Sequence, residues 1–196
     1  MAVALGRRGH CNPVSETSVD MVAHGLLTAA ALSLARRRFE ITSTAARATV
    51  VASVAPDVLH ALPLLAWALF AGQGVSSLMR DYAFAVPGRE PWLPQWVAFS
   101  SHHLHCIAHS AIAAALVTQV YWLALRTVPI ALLGWWSHIV IDLFTHSADF
   151  YPAPVLYPLS DWTFNGLAWN RPEVLVSTYL MLGLTWGWLA HSTRRS

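Results

Sequence analysis

Ionisable side chains stand one helical turn apart at three places in otherwise apolar stretches of the sequence. The three pairs are Asp57 with His60, His105 with His109, and His138 with Asp142. A further histidine, His146, follows Asp142 by one helical turn. Residues three or four apart project from the same face of a helix. Imidazole and carboxylate groups are ligands of zinc and other divalent transition metals. Each pair can therefore clamp a cation, and convergence of the three pairs would make one or two metal centres.

The segment 134–147, GWWSHIVIDLFTHS, carries three of these side chains at intervals of four. Steps of four place His138, Asp142 and His146 within an arc of about 80° on one helix face. Neighbours in this row are about 6 Å apart along the axis, and the outer two are about 12 Å apart. One ion can therefore bind two of the three, and the third would serve a second ion or support the first. The alternative is that each of the three is only a helix-packing residue.

The composition places these side chains in a membrane protein. Of the 196 residues, 56% are hydrophobic and 11% are charged, and the mean hydropathy is +0.46. A soluble domain of this length is much less apolar, so the sequence predicts an integral-membrane protein with the lipid bilayer as its first partner. The net charge of +2 and the single short arginine run at 36–38 predict no nucleic-acid partner.

The elements that must position these residues are apolar helices. Spanning a bilayer takes roughly 17 to 25 apolar residues, and the sequence predicts an all-α, integral-membrane bundle of about five helices. The predicted segments are about 19–35, 46–70, 97–125, 128–147 and 173–191. We expect one domain over 21–191, with 1–20 as a disordered tail or an over-called start and 192–196 as a second tail.

The arginines predict the orientation of this bundle. Seven of the twelve basic residues fall in the turn after the first segment, the turn after the third and the C-terminal end. The positive-inside tendency makes that side cytoplasmic, so we expect a multi-pass protein of the inner cell membrane. The same threading places His24, His109, Asp142 and His146 in helix halves that share the opposite, extracytoplasmic side.

Several longer motifs surround the paired residues. They are AHGLL at 23–27, APD at 55–57, AHSAI at 108–112, SHIVIDLFTHS at 137–147 and DFYPAPVLYPLSDWTFNGLAW at 149–169. The chain from about residue 21 to 169 thereby resembles the membrane-bound metal-dependent hydrolase family, whose sequence relatives include zinc-dependent phospholipases C and single-strand-specific zinc nucleases. This resemblance implies five metal ligands: His24, Asp57, His109, His138 and Asp142. It also implies two supporting residues, His146 and Asp161. His105 departs from the family's pattern, and both His60 and His105 stay open between ligand and supporting roles.

The expected function is hydrolysis of a phosphoester or another lipid-linked bond near the membrane interface by a divalent ion, with zinc preferred. A bound ion lowers the pKa of water toward 7 and polarises an ester oxygen, and Asp57 or Asp161 would orient that water. The proline-rich loop 148–172 would cover the site as an aromatic wall, or would serve only as an interfacial aromatic belt. The alternative functions are a non-catalytic membrane protein that binds or transports a metal or haem, and a degenerate family member with a structural role.

Overall fold

The structure is a computed structural model that describes residues 18–72, 74–83, 85 and 90–194. Of the predicted tails 1–20 and 192–196, residues 1–17 and 195–196 lie outside the described residues. Residues 18–20 open the first helix, and residues 192–193 close the last one.

The described part of the chain is helical, with one isolated bridge between Ser147 and Phe150 and no strand. The seven helices are α1 (Ser18–Ala35), α2 (Ser43–Phe70), α3 (Val75–Ala83), α4 (Gln95–Ala108), α5 (Ala111–Leu125), α6 (Ala131–Thr145) and α7 (Pro172–Thr193). The predicted all-α class is confirmed. Four of the five predicted segments correspond to α1, α2, α6 and α7, with bounds that differ by a few residues.

The predicted segment 97–125 is two helices instead of one. α4 and α5 are bent by 62° at a short break. His109 forms the C-cap of α4, and the Ser110 hydroxyl accepts hydrogen bonds from the N–H groups of Ile112 and Ala113. Serine is a favoured N-cap because its oxygen satisfies N–H groups that a new helix leaves free. The break therefore places His109 at a corner of the bundle, where its side chain projects from a helix end.

Short α3 was not among the predicted segments. Its sequence, VSSLMRDYA, is too short and too polar to register as a span. Tyr82 packs with Leu64 of α2 and Val97 of α4 in a small hydrophobic cluster. α3 therefore closes one end of the α2–α4 pair.

Two helices, α2 and α7, are long and apolar enough to cross a membrane, and the bent α4–α5 pair is a third candidate. The remaining apolar helices are shorter, since α6 has 15 residues. A helix of that length extends about 22 Å, against a hydrocarbon core of about 30 Å. The described residues thus provide two to three candidate spans, where five were predicted.

α2 is the central helix and packs against α1, α4 and α6. Its contact with α6 is close because Gly134 has no side chain: a Cβ there would lie 2.0 Å from the carbonyl oxygen of Thr49 and 3.0 Å from the backbone nitrogen of Ser53. Small residues let helices approach in this way, especially in membranes. The approach brings His138, one turn after Gly134, against the middle of α2.

The segment from 146 to 171 is irregular and is tied to the end of α6. The N–H of Leu167 donates to the carbonyl of Phe144 at 2.9 Å, and the N–H of Trp169 donates to that of Thr145 at 2.7 Å. Helix ends leave such carbonyls without intrahelical donors. The returning loop therefore fixes the C-terminal turn of α6, which carries Asp142.

Candidate metal centre

The structure brings together all six residues that the sequence offered as metal ligands. They come from α1, α2, the end of α4, and α6 with its C-cap, and all are 0–1% exposed: His24, Asp57, His109, His138, Asp142 and His146. Contacts of 2.9–3.9 Å between imidazole nitrogens and carboxylate oxygens connect them into one buried cluster. Four helical regions thus converge on one point.

Four of the side chains place one ligand atom each in a compact group, which we call the four-atom cage: His109 Nε2, His138 Nε2, Asp142 Oδ2 and Asp57 Oδ1. The two imidazole nitrogens are 3.0 Å apart. Asp142 Oδ2 lies 3.0 Å from His138 Nε2 and 3.3 Å from His109 Nε2. Asp57 Oδ1 lies 3.4 Å from each of the same two nitrogens.

These separations fit a metal centre. Ligand atoms bound tetrahedrally at 2.0–2.1 Å from zinc are separated from one another by about 3.3 Å. All five separations that involve an imidazole nitrogen of the cage lie between 3.0 and 3.4 Å. The atoms of His109, His138 and Asp142 therefore have the spacing that one small divalent ion requires, and Asp57 Oδ1 contacts both imidazole nitrogens but groups with His24 and His138.

The tautomers of the two cage histidines are fixed by backbone carbonyls. His138 Nδ1 lies 2.9 Å from the carbonyl oxygen of Ser53. His109 Nδ1 lies 2.9 Å from that of His105. A carbonyl oxygen only accepts, so each Nδ1 donates its proton, and in the neutral ring each Nε2 presents a lone pair. Two such lone pairs face each other across 3.0 Å, an arrangement that a cation between them stabilises.

Asp142 joins the cage to a second group of side chains. Its Oδ1 lies 2.9 Å from His24 Nε2 and 3.9 Å from His146 Nε2. His146 Nδ1 donates in turn to the carbonyl oxygen of Tyr151 at 2.6 Å, so this imidazole is also directed inward by a backbone acceptor. A second trio with ligand atoms within 4.8 Å of one another is formed by His24, Asp57 and His138. The centre thus offers more ligands than one ion needs.

The charges of the cluster also favour a cation. Asp57 and Asp142 are both buried among neutral imidazoles and apolar helices. A buried carboxylate is costly unless an opposite charge or several donors compensate it. One divalent ion would balance the two negative charges, so the donor set fits a metal in charge as well as in spacing.

His60 and His105, whose roles the sequence left open, are buried on one side of the cage. The ring centroids of His105 and His109 are 4.1 Å apart, and those of His60 and His109 are 6.1 Å apart. Neither belongs to the two groups of described residues whose ligand atoms lie within 4.8 Å. The carbonyl of His105 nevertheless orients His109, so that residue supports the cage through its backbone.

Asp161, the second candidate for orienting water, lies apart from this cluster. It is exposed in the loop, whereas the centre is buried. One loop aromatic that contacts α6 is Phe164, whose ring packs edge-on against Phe144 with centroids 5.6 Å apart. A catalytic role for Asp161 stays a prediction.

The sequence did not reveal the backbone acceptors of the centre, the carbonyls of Ser53, His105 and Tyr151. Every residue has a carbonyl, so no residue type marks these positions. Their role depends on how α2, α4 and the loop are placed against the imidazoles.

No family model, curated protein or solved structure matches this chain. The interpretation of the cluster therefore depends on its own atoms. Buried imidazole and carboxylate groups at these distances could hold a metal ion.

Proposed function

We propose that the protein is an integral-membrane hydrolase that depends on a divalent metal, with zinc as the preferred ion and membership of the membrane-bound metal-dependent hydrolase family. The observation that carries this proposal is the trio of His109, His138 and Asp142 in the four-atom cage, whose separations of 3.0–3.3 Å match the ligand sphere of a small divalent ion. The motifs shared with that family add independent support, since they include every cage residue.

Each residue of the cage has a part in the proposed reaction. His109, His138 and Asp142 hold the ion, and catalytic zinc sites commonly have three protein ligands. The bound ion would supply a water of lowered pKa and polarise the scissile ester. Asp57 Oδ1, 3.4 Å from both imidazole nitrogens, accepts the proton of the attacking water as a general base.

His24 and His146 act on Asp142 in this proposal. Both imidazoles approach Oδ1, the oxygen that faces away from the cage histidines. They hold the carboxylate in the orientation that directs Oδ2 into the cage. Residues of this kind typically change metal affinity or activity by about 10- to 100-fold when they are replaced.

The proposed substrate is a phosphoester or another lipid-linked ester at the membrane interface. The two to three candidate spans support a membrane location, and we place the protein in the inner membrane as a multi-pass protein with the centre toward the extracytoplasmic side. The irregular segment from 146 to 171 is bound to the end of α6. It also reaches the cluster, since the Tyr151 carbonyl accepts from His146 Nδ1, and we therefore infer that this segment contacts the substrate.

The second candidate is metal binding without hydrolysis. It is favoured by the burial of all six ligand candidates, each 0–1% exposed, because structural zinc sites are closed by four protein ligands. A haem held between two histidines fits poorly. The cage nitrogens are 3.0 Å apart, whereas two axial ligands at about 2 Å on opposite sides of one metal need about 4 Å.

The experiment that separates the two candidate functions is the substitution Asp57→Asn in the purified full chain. The variant Asp161→Asn is measured in parallel, because Asp161 is the second candidate for orienting the water. We would measure bound metal by elemental analysis and hydrolysis with a chromogenic phosphodiester. If Asp57 is the base, the ion remains bound and the rate falls by about 10²- to 10⁴-fold. Loss of the metal as well would make Asp57 a fourth ligand and favour the closed site. A metal-loaded wild type without activity on phosphodiesters or lipid-linked esters would contradict the hydrolase proposal.

A further inference from the structure

A second polar site lies at the ends of α1 and α7, away from the metal centre. A cavity of about 570 Å³ opens between the two helices and is lined by Ser33, Arg36, Arg37, Trp186, Leu189, Ala190 and Ser192. We call it the arginine cavity. Arg36 follows His24 by twelve residues, which corresponds to about 18 Å along a helix. The cavity therefore belongs to a different part of the molecule from the cage.

The two arginines of the cavity are held in place by neighbouring side chains. Arg36 Nη2 donates to the hydroxyl of Ser43 at 3.2 Å. Arg37 Nη2 donates to the hydroxyl of Ser192 on α7, and its guanidinium lies over the Trp188 ring at 4.9 Å from the centroid. A guanidinium has five N–H donors, so one such hydrogen bond leaves others for a ligand.

The lining has two chemical halves. The guanidinium and hydroxyl groups provide donors and positive charge, and no acidic residue is among the described residues that line the cavity. Leu189, which is buried, Ala190 and the Trp186 ring provide an apolar wall. A ligand that matches both halves has an anionic group attached to hydrocarbon.

The position of the cavity indicates where such a ligand comes from. α7 is one of the two helices long and apolar enough to cross a membrane, so its end meets the region of the lipid headgroups. Tryptophan and arginine near helix ends are typical of that interface. Arginines near the surface attract anionic lipids, each by about 1 kcal/mol.

We propose that the arginine cavity binds the headgroup of an anionic phospholipid, with the phosphodiester recognised by Arg36 and Arg37 and the adjoining hydrocarbon packed against α7. This site is independent of the proposed hydrolase activity. The C-terminal ends of α1 and α7 carry partial negative charge, which the two arginines more than offset. The bound lipid would join the ends of the two helices at the membrane surface.

The test is to count lipids on the full chain by native mass spectrometry in neutral detergent. The probes are phosphatidylglycerol, phosphatidylcholine with the same chains, and inorganic phosphate. We expect one phosphatidylglycerol to be retained in preference to phosphatidylcholine. The double variant Arg36→Gln, Arg37→Gln should weaken its binding by about 30-fold, the effect of two charges worth about 1 kcal/mol each. Arg80→Gln, an exposed arginine of α3, is the matched control and should bind as the wild type does.

A second variant distinguishes lipid binding inside the arginine cavity from unspecific electrostatic attraction to a basic surface. Ser33→Trp keeps both arginines and fills the cavity, so it should also lose the lipid, whereas unspecific attraction would survive it. Circular dichroism and elution volume check that each variant is folded. Equal affinity for the two lipids, wild-type binding by the double variant or by Ser33→Trp, or displacement of the lipid by millimolar phosphate would each overturn the proposal.

Discussion

α6 and α7 are both apolar helices, but they occupy opposite kinds of environment. α6 carries His138 and Asp142, both buried, and its Gly134 touches the backbone of α2. α7 is longer and supplies none of the six ligand candidates. A Cβ at its Gly183 would meet nothing within 4 Å, and Leu184 is 67% exposed. Apolarity alone thus does not distinguish an exposed helix from a packed one, whereas polar residues in an apolar helix indicate its contacts with other helices.

The largest loss of bound metal is expected when Asp142 of α6 loses its charge. Asp142→Asn keeps the shape of the side chain but weakens contacts with His24, His109 and His138. We expect bound metal to fall by more than the 10- to 100-fold typical of a supporting residue, and any hydrolytic activity to fall with it. Elemental analysis after dialysis measures the metal. Asp81→Asn, exposed on α3, is the control and should keep it.

A different result is expected if the row of His138, Asp142 and His146 serves only to pack α6 against its neighbours. In that case Asp142→Asn and His146→Gln would lower the thermal midpoint to a similar extent and leave bound metal unchanged. That result would show that these residues of α6 do not bind a metal ion.

The next largest effect is a loss of stability, expected where the backbones of α6 and α2 are in contact. Gly134→Ala places a methyl group 2.0 Å from the Thr49 carbonyl oxygen, so α6 must move away from α2. Overpacking of this kind costs about 1–3 kcal/mol, occasionally more. The matched change on the other helix, Gly183→Ala, meets open space and should be neutral or stabilising by about 0.5–1 kcal/mol. Thermal unfolding in detergent compares the two, and equal midpoints would contradict the described α2–α6 contact.

A smaller loss is expected at the edge of the cluster. His146 Nε2 is 3.9 Å from Asp142 Oδ1 and outside the four-atom cage. His146→Gln should therefore lower metal affinity by about 10- to 100-fold, the range for a residue that orients a ligand. Competition with a chelator of known affinity measures this value. His191→Gln, exposed near the end of α7, should leave the affinity unchanged, and an equal loss in both variants would argue against a specific role for His146.

The smallest effect should come from the exposed face of α7. Leu184→Ala removes a side chain that is 67% exposed, so little packing is lost. We expect a change in the free energy of unfolding within about 0.5 kcal/mol in detergent, as for surface positions. A loss of several kcal/mol would show that this face of α7 packs against something in solution.

The sequence predicted the helical class and the convergence of polar residues because both depend on local periodicity. The spacing of four places His138 and Asp142 on one face, and in the structure their side chains lie 3.0 Å apart. Contacts such as His24 with Asp142 join α1 to α6, and the sequence indicated them only through the predicted threading, which put both residues toward one side, and through the family resemblance. The number of spans was predicted less well, since apolarity does not distinguish a full span from the 15 residues of α6.

The break between α4 and α5 shows what long apolar patterns conceal. The segment from 97 to 125 contains neither proline nor glycine, so no helix-breaking residue marks its middle, although the part before Ser110 is rich in histidine and the part after it is more apolar. The signal was a serine directly after His109, since serine is a frequent N-cap. Serine is also common inside apolar helices, so its capping role became visible only with the 62° bend.

Metal content of the wild-type chain shows whether the buried cluster holds a divalent ion. The full chain would be purified in detergent with zinc present, dialysed against metal-free buffer and measured by elemental analysis together with His138→Gln. We expect at least one divalent ion per wild-type chain and a marked loss in the variant, because His138 Nε2 contacts every other atom of the four-atom cage. Wild-type protein that is folded yet retains no more metal than His138→Gln would contradict this expectation.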